Sequence, residues 1–243
     1  MRTVGHYVIT PTLNEAVRAF VPHPLPPAEP ALVPDSYAVA ARRAELALAR
    51  LSGMTGLVPS VDWLLYSAIR KEALLSSQIE GTQATLIDLF DDEAGLAVAN
   101  TDDVEEVSNY LRAFRLVRDN LRRPNGLPIS VRLLCDAHRL LLAGARGAGK
   151  QPGELRGSQN WIGGSRPGRA VFVPPPPERV PALLGDLERF IHEHEPVLPP
   201  LVRIALVHVQ FESIHPFLDG NGRIGRLLIA ACVFQRSWTP ISV

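Results

Sequence analysis

Apolar residues recur every three or four positions over most of the chain, and this spacing constrains the fold more than any other feature. One such stripe consists of Val104, Val107, Leu111, Phe114 and Leu121. The same spacing predicts further helices over residues 37–52, 60–80, 129–143, 178–194, 199–213 and 221–234. The chain is therefore expected to be mainly α-helical.

Two segments do not follow this helical pattern. Trp161-Ile162 and residues 170–173 flank a polar, glycine-rich loop, which predicts one short β-hairpin. The N-terminal region is rich in proline, as in FVPHPLPPAEPALVP, and proline lacks a backbone donor. We expect residues 1–36 to lie on the surface as an extended arm, without helix or central strand. A ligand for an SH3-type domain is the alternative for this arm.

Composition excludes several classes of function. The 243 residues carry no formal net charge, so the chain as a whole is not expected to attract nucleic acid or an anionic membrane. No apolar run reaches about 18 residues, and no signal-peptide pattern begins the chain. We therefore expect no membrane span and a cytoplasmic location. Cys135 and Cys232 lie in apolar helical surroundings, which predicts free thiols rather than a disulfide.

The twelve residues HPFLDGNGRIGR, from His215 to Arg226, carry polar groups that a core helix does not need. Pro216 ends the preceding helix, and the next helix is predicted to begin near Asn221. The backbone N–H groups of residues 220–223 would then be the unpaired donors of a helix N-terminus. Glycine leaves room for an anion to approach such donors, so this stretch predicts a phosphate site.

The charged side chains of the stretch fit the same site. Arg223 and Arg226 are three positions apart, so they share a helical face and can reach one polyphosphate. Asp219 lies at the rim, where a Mg²⁺ ion bridging phosphates would require a carboxylate. His215 lies across a short turn and could take a proton from an incoming hydroxyl.

This stretch resembles, without mismatch, the signature H-x-F-x-[DE]-G-N-G-R-x-x-R of the Fic family. Fic enzymes are mostly helical and typically transfer AMP from ATP to a Ser, Thr or Tyr hydroxyl of a protein, releasing pyrophosphate. The resemblance implies a Fic-type helical domain with a short β-hairpin flap. It also implies that His215 is the general base and that Asp219 binds Mg²⁺.

The resemblance further implies the phosphate contacts and a docking surface. The implied phosphate-binding residues are Gly220, Asn221, Gly222, Arg223 and Arg226. In the family, the edge strand of the flap pairs with the target segment and aligns its hydroxyl. The implied flap residues are Ala170, Val171, Phe172 and Val173. A hairpin that only covers the core is the alternative.

A second motif, SSQIEG, closes the helix that is predicted to begin at Ser60. Ser76 and Glu80 share one helical face, and a glutamate at this end faces the unfavourable pole of the helix dipole. The stretch resembles the inhibitory motif [ST]-x-x-x-E-[GN] of Fic proteins, which here comprises Ser76, Glu80 and Gly81. The resemblance implies that Glu80 pairs with Arg226 and prevents the γ-phosphate of ATP from binding productively.

The resemblance covers nearly the whole chain. We expect residues 1–100 to form the N-terminal arm and the helices that carry the inhibitory motif, and residues 101–243 to form the Fic core domain. Related proteins often continue with more helices and a winged-helix domain. This chain ends at Val243, soon after the motif helix, so a native short form and a C-terminally truncated form both fit.

Three functions are compatible with these residues. The leading expectation is an autoinhibited protein adenylyltransferase that uses ATP and Mg²⁺ and modifies a target protein or itself. The nearest alternative is a hydrolase that removes AMP, with Glu80 orienting a water molecule. The third is a nucleotide-binding regulatory module without turnover. Relatives often dimerise, so a homodimer is also considered, whereas no contact with nucleic acid is expected.

Overall fold

The computed structural model describes residues 4–28, 31–54, 57, 59–144, 148–193 and 198–238. Its elements, in chain order, are β1 Gly5–Thr12, β2 Glu15–Pro22, α1 Ala38–Met54, α2 Val61–Ile79, α3 Leu86–Glu93, α4 Thr101–Arg122, α5 Val131–Leu141, α6 Val180–Ile191, α7 Pro200–Ile214 and α8 Asn221–Trp238. A mainly helical fold with one two-stranded antiparallel hairpin confirms the predicted fold class. None of the helices described is both long and apolar enough to cross a bilayer.

Helix α4 forms the centre of the core and packs against α2, α3, α5 and α8. The stripe predicted on this helix is confirmed, because Val104, Val107 and Leu111 are buried, and Phe114 and Leu121 pack against them partly buried. Removing this apolar surface from water is the main stabilisation of the fold. The same packing brings the ends of α2, α7 and α8 close together, and these three ends carry the two motifs.

Short polar side chains begin several helices. Ser60 caps α2 by accepting a hydrogen bond of 3.3 Å from the Trp63 N–H, as predicted. Thr85 and Asp88 form a reciprocal capping box at the start of α3. This helix of eight residues was not predicted from the sequence, because it is too short to show a clear helical period. Both cysteines are free thiols, as expected.

The β-ladder lies at the N-terminus, where the sequence predicted an extended arm. Strands β1 and β2 pair antiparallel from Gly5–Pro22 to Thr12–Glu15. Leu13 and Asn14 connect them with φ values of 49° and 64°, the left-handed backbone that a two-residue hairpin turn requires. The prediction is therefore wrong for residues 5–22. Both strands of a two-stranded sheet are edge strands, where proline is tolerated.

The predicted hairpin around residues 161–173 is reduced to one bridge, between Ile162 and Phe172. The Ile162 N–H donates to the Phe172 carbonyl at 2.8 Å, and the Phe172 N–H donates back at 3.1 Å. A 3₁₀ turn at Pro167–Arg169 takes up much of the intervening chain. The chain therefore reverses direction between Ile162 and Phe172. The four consecutive prolines after Val173 cannot donate to a ladder, so the pairing does not extend into two regular strands.

Candidate active site

His215 lies at the C-terminal end of helix α7. The helix ends at Ile214, and His215 follows as its C-cap with φ of 50°. Its side chain is 20% exposed. Burial lowers the pKa of His215, and the backbone carbonyl of Glu212 acts in the opposite direction. A lowered pKa keeps the imidazole neutral near physiological pH, which is the form that can accept a proton.

A buried arginine fixes the backbone around this histidine. Arg156 is 2% exposed. Its Nε donates to the His215 carbonyl at 2.8 Å, and its Nη2 donates to the carbonyls of Pro175 at 2.6 Å and Ile214 at 3.3 Å. Burial lowers its pKa to about 10, so the guanidinium still carries its charge at neutral pH. The sequence analysis did not find Arg156, which lies in a loop outside both motifs.

We expect Arg156→Ala to lower the free energy of unfolding by about 3 kcal/mol, because several buried carbonyls lose a charged donor. Arg139→Ala is the control, since the Arg139 side chain is 59% exposed and pairs with Asp136 one turn earlier on the same helix. That change should cost less than about 1 kcal/mol. Urea unfolding measures both values, and equally small losses would contradict the structural role of Arg156.

Reciprocal hydrogen bonds hold the loop between α7 and α8. The Phe217 N–H donates to Asn221 Oδ1 at 2.9 Å, and Asn221 Nδ2 donates to the Phe217 carbonyl at 2.8 Å. Asn160 Nδ2 donates to the same carbonyl at 3.1 Å. The Asn221 side chain therefore shapes the loop, and only its backbone N–H is left for the predicted phosphate contact.

A second buried residue that the sequence analysis missed supports the loop from α5. The Gly153 N–H donates to Nδ1 of His138 at 2.9 Å, so the ring proton is on Nε2, which donates to the Asp219 carbonyl at 3.1 Å. The ring stacks on Phe217 with centroids 3.8 Å apart. Because His138 is completely buried, its pKa falls to about 4.

This buried histidine predicts a loss of stability in acid. Above pH 6.5 the His138 ring is neutral in both the folded and the unfolded chain. Between 6.5 and about 4 only the unfolded chain binds the proton, so the free energy of unfolding falls as the pH falls through this window. The loss attributable to this group is at most about 3 kcal/mol.

Urea unfolding at several pH values between 7.5 and 4 tests this expectation. His138→Gln should be less stable than the parent chain at pH 7.5, because the amide cannot replace both hydrogen bonds of the ring. Its stability should also depend less on pH within the window, although His215 continues to contribute in the same direction. An unchanged pH dependence in the variant would contradict the assignment.

The N-terminus of α8 has the geometry of an anion site. Its hydrogen-bond ladder begins with the Ile224 N–H, which donates to the Gly220 carbonyl at 3.0 Å. The N–H groups of residues 221–223 precede this ladder and point out of the helix end. Gly220 has φ of 72°, a conformation that a residue with Cβ adopts only with strain. A phosphate at residues 220–223 fits this backbone.

Asp219 lies at the rim of this helix end, with its side chain 46% exposed. Its Oδ1 accepts a hydrogen bond of 2.6 Å from the Gly220 N–H. No group of three or more His, Cys, Asp or Glu side chains within the described ranges could hold a metal by itself. Magnesium typically uses one or two carboxylates together with substrate phosphates, so the site fits Mg²⁺ only when a nucleotide is bound with it.

Both motif arginines are held by carboxylates from other helices. Arg223 donates from Nη1 to Glu106 Oε2 on α4 at 3.3 Å. Arg226 donates from Nε to Ser76 Oγ at 2.7 Å, and from Nη2 to the Ser76 carbonyl at 2.8 Å and to Glu80 Oε1 at 2.6 Å. The structure thus brings together the two sequence motifs, which are 146 residues apart at the Glu80–Arg226 pair.

Two glycines allow this contact. A Cβ added to Gly222 would clash with Glu80 Oε1, so only glycine at this position lets the carboxylate approach the start of α8. Gly81 has φ of 104° and turns the chain away directly after Glu80, which caps the end of α2. Glycine at position 222 therefore serves both the predicted phosphate contact and the observed carboxylate contact.

The predicted flap residues differ in exposure. Val171 is 87% exposed, whereas Val173 is 8% exposed. The Val173 carbonyl accepts a hydrogen bond of 2.8 Å from the Phe20 N–H of β2, so the N-terminal hairpin supports this segment. Val171 is thus available to a partner and Val173 is not. Docking of a target by residues 170–173 remains a prediction.

The chain is similar to known proteins over most of its length. The family model described as "Fic/DOC family N-terminal" matches residues 39–119, and the model "Fic/DOC family" matches residues 128–233. The chain is 27% identical over 169 residues to "Protein adenylyltransferase Fic" of Drosophila yakuba, covering 68% of this chain and 32% of that protein. The protein of the same name from Drosophila melanogaster gives the same identity and coverage. The chain thus spans about a third of the length of these curated relatives.

Solved structures show the same fold. A Fic domain containing signaling protein from Bacteroides thetaiotaomicron aligns with a TM-score of 0.64 at 23% identity, over 79% of this chain and 74% of that one. Residues 134–508 of Fic-1 from C. elegans align with a TM-score of 0.65 at 20% identity, over 85% and 61% of the two chains. These matches concern the fold. The two family models, which together cover most of the sequence, show that the chain belongs to the Fic/DOC family.

Proposed function

We propose that this chain is a protein adenylyltransferase that its own helix α2 keeps inactive. The observation that carries the proposal is the triple contact of Arg226 with the Ser76 hydroxyl, the Ser76 carbonyl and the Glu80 carboxylate. Distant homology to protein adenylyltransferases supports the transfer activity. The contact between the two motifs supports the inhibition.

Each residue of the site has a separate role in the proposed reaction. His215 takes the proton from a hydroxyl of the target protein, and that oxygen attacks the α-phosphorus of ATP. The bond from the α-phosphorus to the bridging oxygen then breaks, and pyrophosphate leaves. The N–H groups at residues 221–223 hold the phosphates where the charge develops, and Arg223 binds the β-phosphate. Mg²⁺ bound by Asp219 and the phosphates would neutralise part of the charge that the leaving pyrophosphate carries.

The inhibition follows from competition for one guanidinium. The γ-phosphate of ATP needs Arg226, whose Nε and Nη2 already donate to Ser76 and Glu80. With Glu80 in place, the carboxylate also adds a negative charge where the γ-phosphate would lie. ATP then binds with its phosphates displaced, and the α-phosphorus is not in line with the attacking oxygen.

The position of the radioactive label tests the proposed reaction. Glu80→Ala is incubated with Mg²⁺ and with ATP labelled at either the α- or the γ-phosphate, alone and with a cell lysate. We expect protein to acquire the α-label and not the γ-label. Transfer of the γ-label would show a kinase instead. ATP binding without any labelling would indicate a nucleotide-binding module without turnover. If protein that already carries AMP is supplied, loss of AMP removal in this variant would favour the hydrolase.

A further inference from the structure

Three titratable side chains lie in the C-terminal half of α7 and at its C-cap, immediately before the catalytic loop. His208 and Glu212 are four residues apart on α7 and share a helical face, and His215 is the C-cap of this helix. Glu212 Oε2 is 3.9 Å from His215 Nδ1. Only His215 belongs to the Fic signature, so the carboxylate beside it has no role in the reaction described above.

The carboxyl group of Glu212 lies between α7 and α8, against Gly225. Its Oε1 is buried and accepts no hydrogen bond from any residue that the structure describes. A Cβ added to Gly225 of α8 would clash with this oxygen, so glycine at that position makes room for it. Burial raises the pKa of Glu212, and the nearby charges of His208 and Arg226 act in the opposite direction.

The position of this carboxylate decides which ring nitrogen of His215 can act as the base. Nδ1 of His215 is buried, makes no hydrogen bond within the part of the chain that the structure describes, and has the Glu212 carboxylate as its facing group at 3.9 Å. An ionised carboxylate accepts hydrogen bonds and donates none, so the tautomer with the proton on Nδ1 is the one that suits this neighbour. The lone pair is then on Nε2, on the opposite edge of the ring.

We propose that Glu212 is a positioning residue for His215. It accepts a hydrogen bond from Nδ1–H after a movement of about 1 Å, holds the tautomer in which Nε2 is the base, and stabilises the imidazolium that forms. This inference rests on the proposed adenylyl transfer, in which His215 takes the proton of the target hydroxyl.

Other charged groups also act on these two side chains. Arg156 lowers the pKa of His215, whereas Glu80 and Asp219 raise it. Glu80 also raises the pKa of Glu212, in opposition to His208 and Arg226. The test therefore keeps Arg156, Asp219, His208 and Arg226 constant and uses Glu80→Ala as the common background.

The first measurement is the NMR titration of the His215 ring in Glu80→Ala and in Glu80→Ala/Glu212→Gln. Removing the negative charge should lower the pKa of His215 by about 0.5 to 1 unit. Ser213→Ala in the same background is the control, because the exposed Ser213 hydroxyl donates to the Val209 carbonyl one turn earlier on the same helix. This control should leave the pKa unchanged.

The second measurement is the pH profile of AMP transfer. In Glu212→Gln the plateau rate should fall about tenfold, and the acidic limb should move to lower pH with the pKa of His215. Glu212→Asp keeps the negative charge, so the pKa of His215 should stay close to its value in the Glu80→Ala parent. This variant provides the test if Glu212→Gln does not fold.

Two results would overturn the role of Glu212. One is an unchanged pKa and rate. The other is a rate that falls equally at every pH while the pKa of His215 stays the same, which a purely structural residue would produce. Failure of the proposed function is distinguishable, since it appears as absent labelling by Glu80→Ala, whereas the NMR titration does not depend on activity.

Discussion

Replacing Glu80 with alanine is expected to raise the rate of AMP transfer about 100-fold, which corresponds to about 2.7 kcal/mol of recovered transition-state stabilisation. The reason is that Arg226 loses the carboxylate bound to its Nη2 and can bind the γ-phosphate. The rate of incorporation of α-labelled AMP at saturating Mg²⁺ and ATP measures the effect in the parent chain and in the variant.

Glu72→Ala is the matched control for this experiment. Glu72 is an exposed glutamate on the same helix α2, two turns before Glu80, so the change removes the same charge and introduces the same side chain. We expect the parent rate from this control. Equal acceleration by both variants would show that the charge of α2, rather than its contact with Arg226, limits the reaction.

Replacing His215 with alanine in the Glu80→Ala background is expected to lower the rate of transfer by a factor between about 100 and 10,000, the usual contribution of a general base. Binding of ATP should persist, because the proposed phosphate contacts come from the start of α8 and from the two arginines. Rapid-quench labelling gives the rate, and equilibrium binding of ATP shows that the site is intact.

An exposed histidine in the N-terminal arm supplies the control. His23→Ala removes an exposed ring, and the hydrogen bond that Gln210 makes to residue 23 uses only the backbone carbonyl. This variant should transfer AMP at the rate of its Glu80→Ala parent. Retention of full activity by His215→Ala would mean that another group takes the proton and that the lowered pKa of His215 has a different purpose.

The parts of the site that the sequence could predict are local in the chain. His215, Asp219 and the proposed phosphate-binding residues lie within the same twelve residues, and a turn followed by a helix N-terminus fixes their relative positions. The stripe on α4 was equally predictable, because helical periodicity depends only on neighbours three or four residues apart. Ser60 could be identified as a cap for the same reason.

The residues that sequence reasoning missed act over long separations. Arg156 bonds to a carbonyl 59 residues away, and His138 bonds to one 81 residues away. Neither has a local signal, since a buried arginine in a loop and a histidine in an apolar helix are uninformative without their partners. The N-terminal hairpin was missed for another reason, because Leu13-Asn14 lacks the glycine that usually marks a two-residue turn.

The contact between α2 and α8 lies between these two cases. Helical spacing alone put Ser76 and Glu80 on one face, but it could not identify their partner. The resemblance to the inhibitory motif supplied Arg226, and the structure places its Nη2 at 2.6 Å from Glu80 Oε1. The observed geometry therefore agrees with the expected pairing.

The most direct test of this inhibition is a double-mutant cycle of Glu80→Ala and Arg226→Ala, with the rate of AMP transfer as the readout. If Glu80 acts by occupying Arg226, Glu80→Ala accelerates transfer about 100-fold in the parent chain. In the Arg226→Ala background, the same change should have almost no effect on the already low rate. Acceleration by the same factor in both backgrounds would contradict the account, because Glu80 would then inhibit without Arg226.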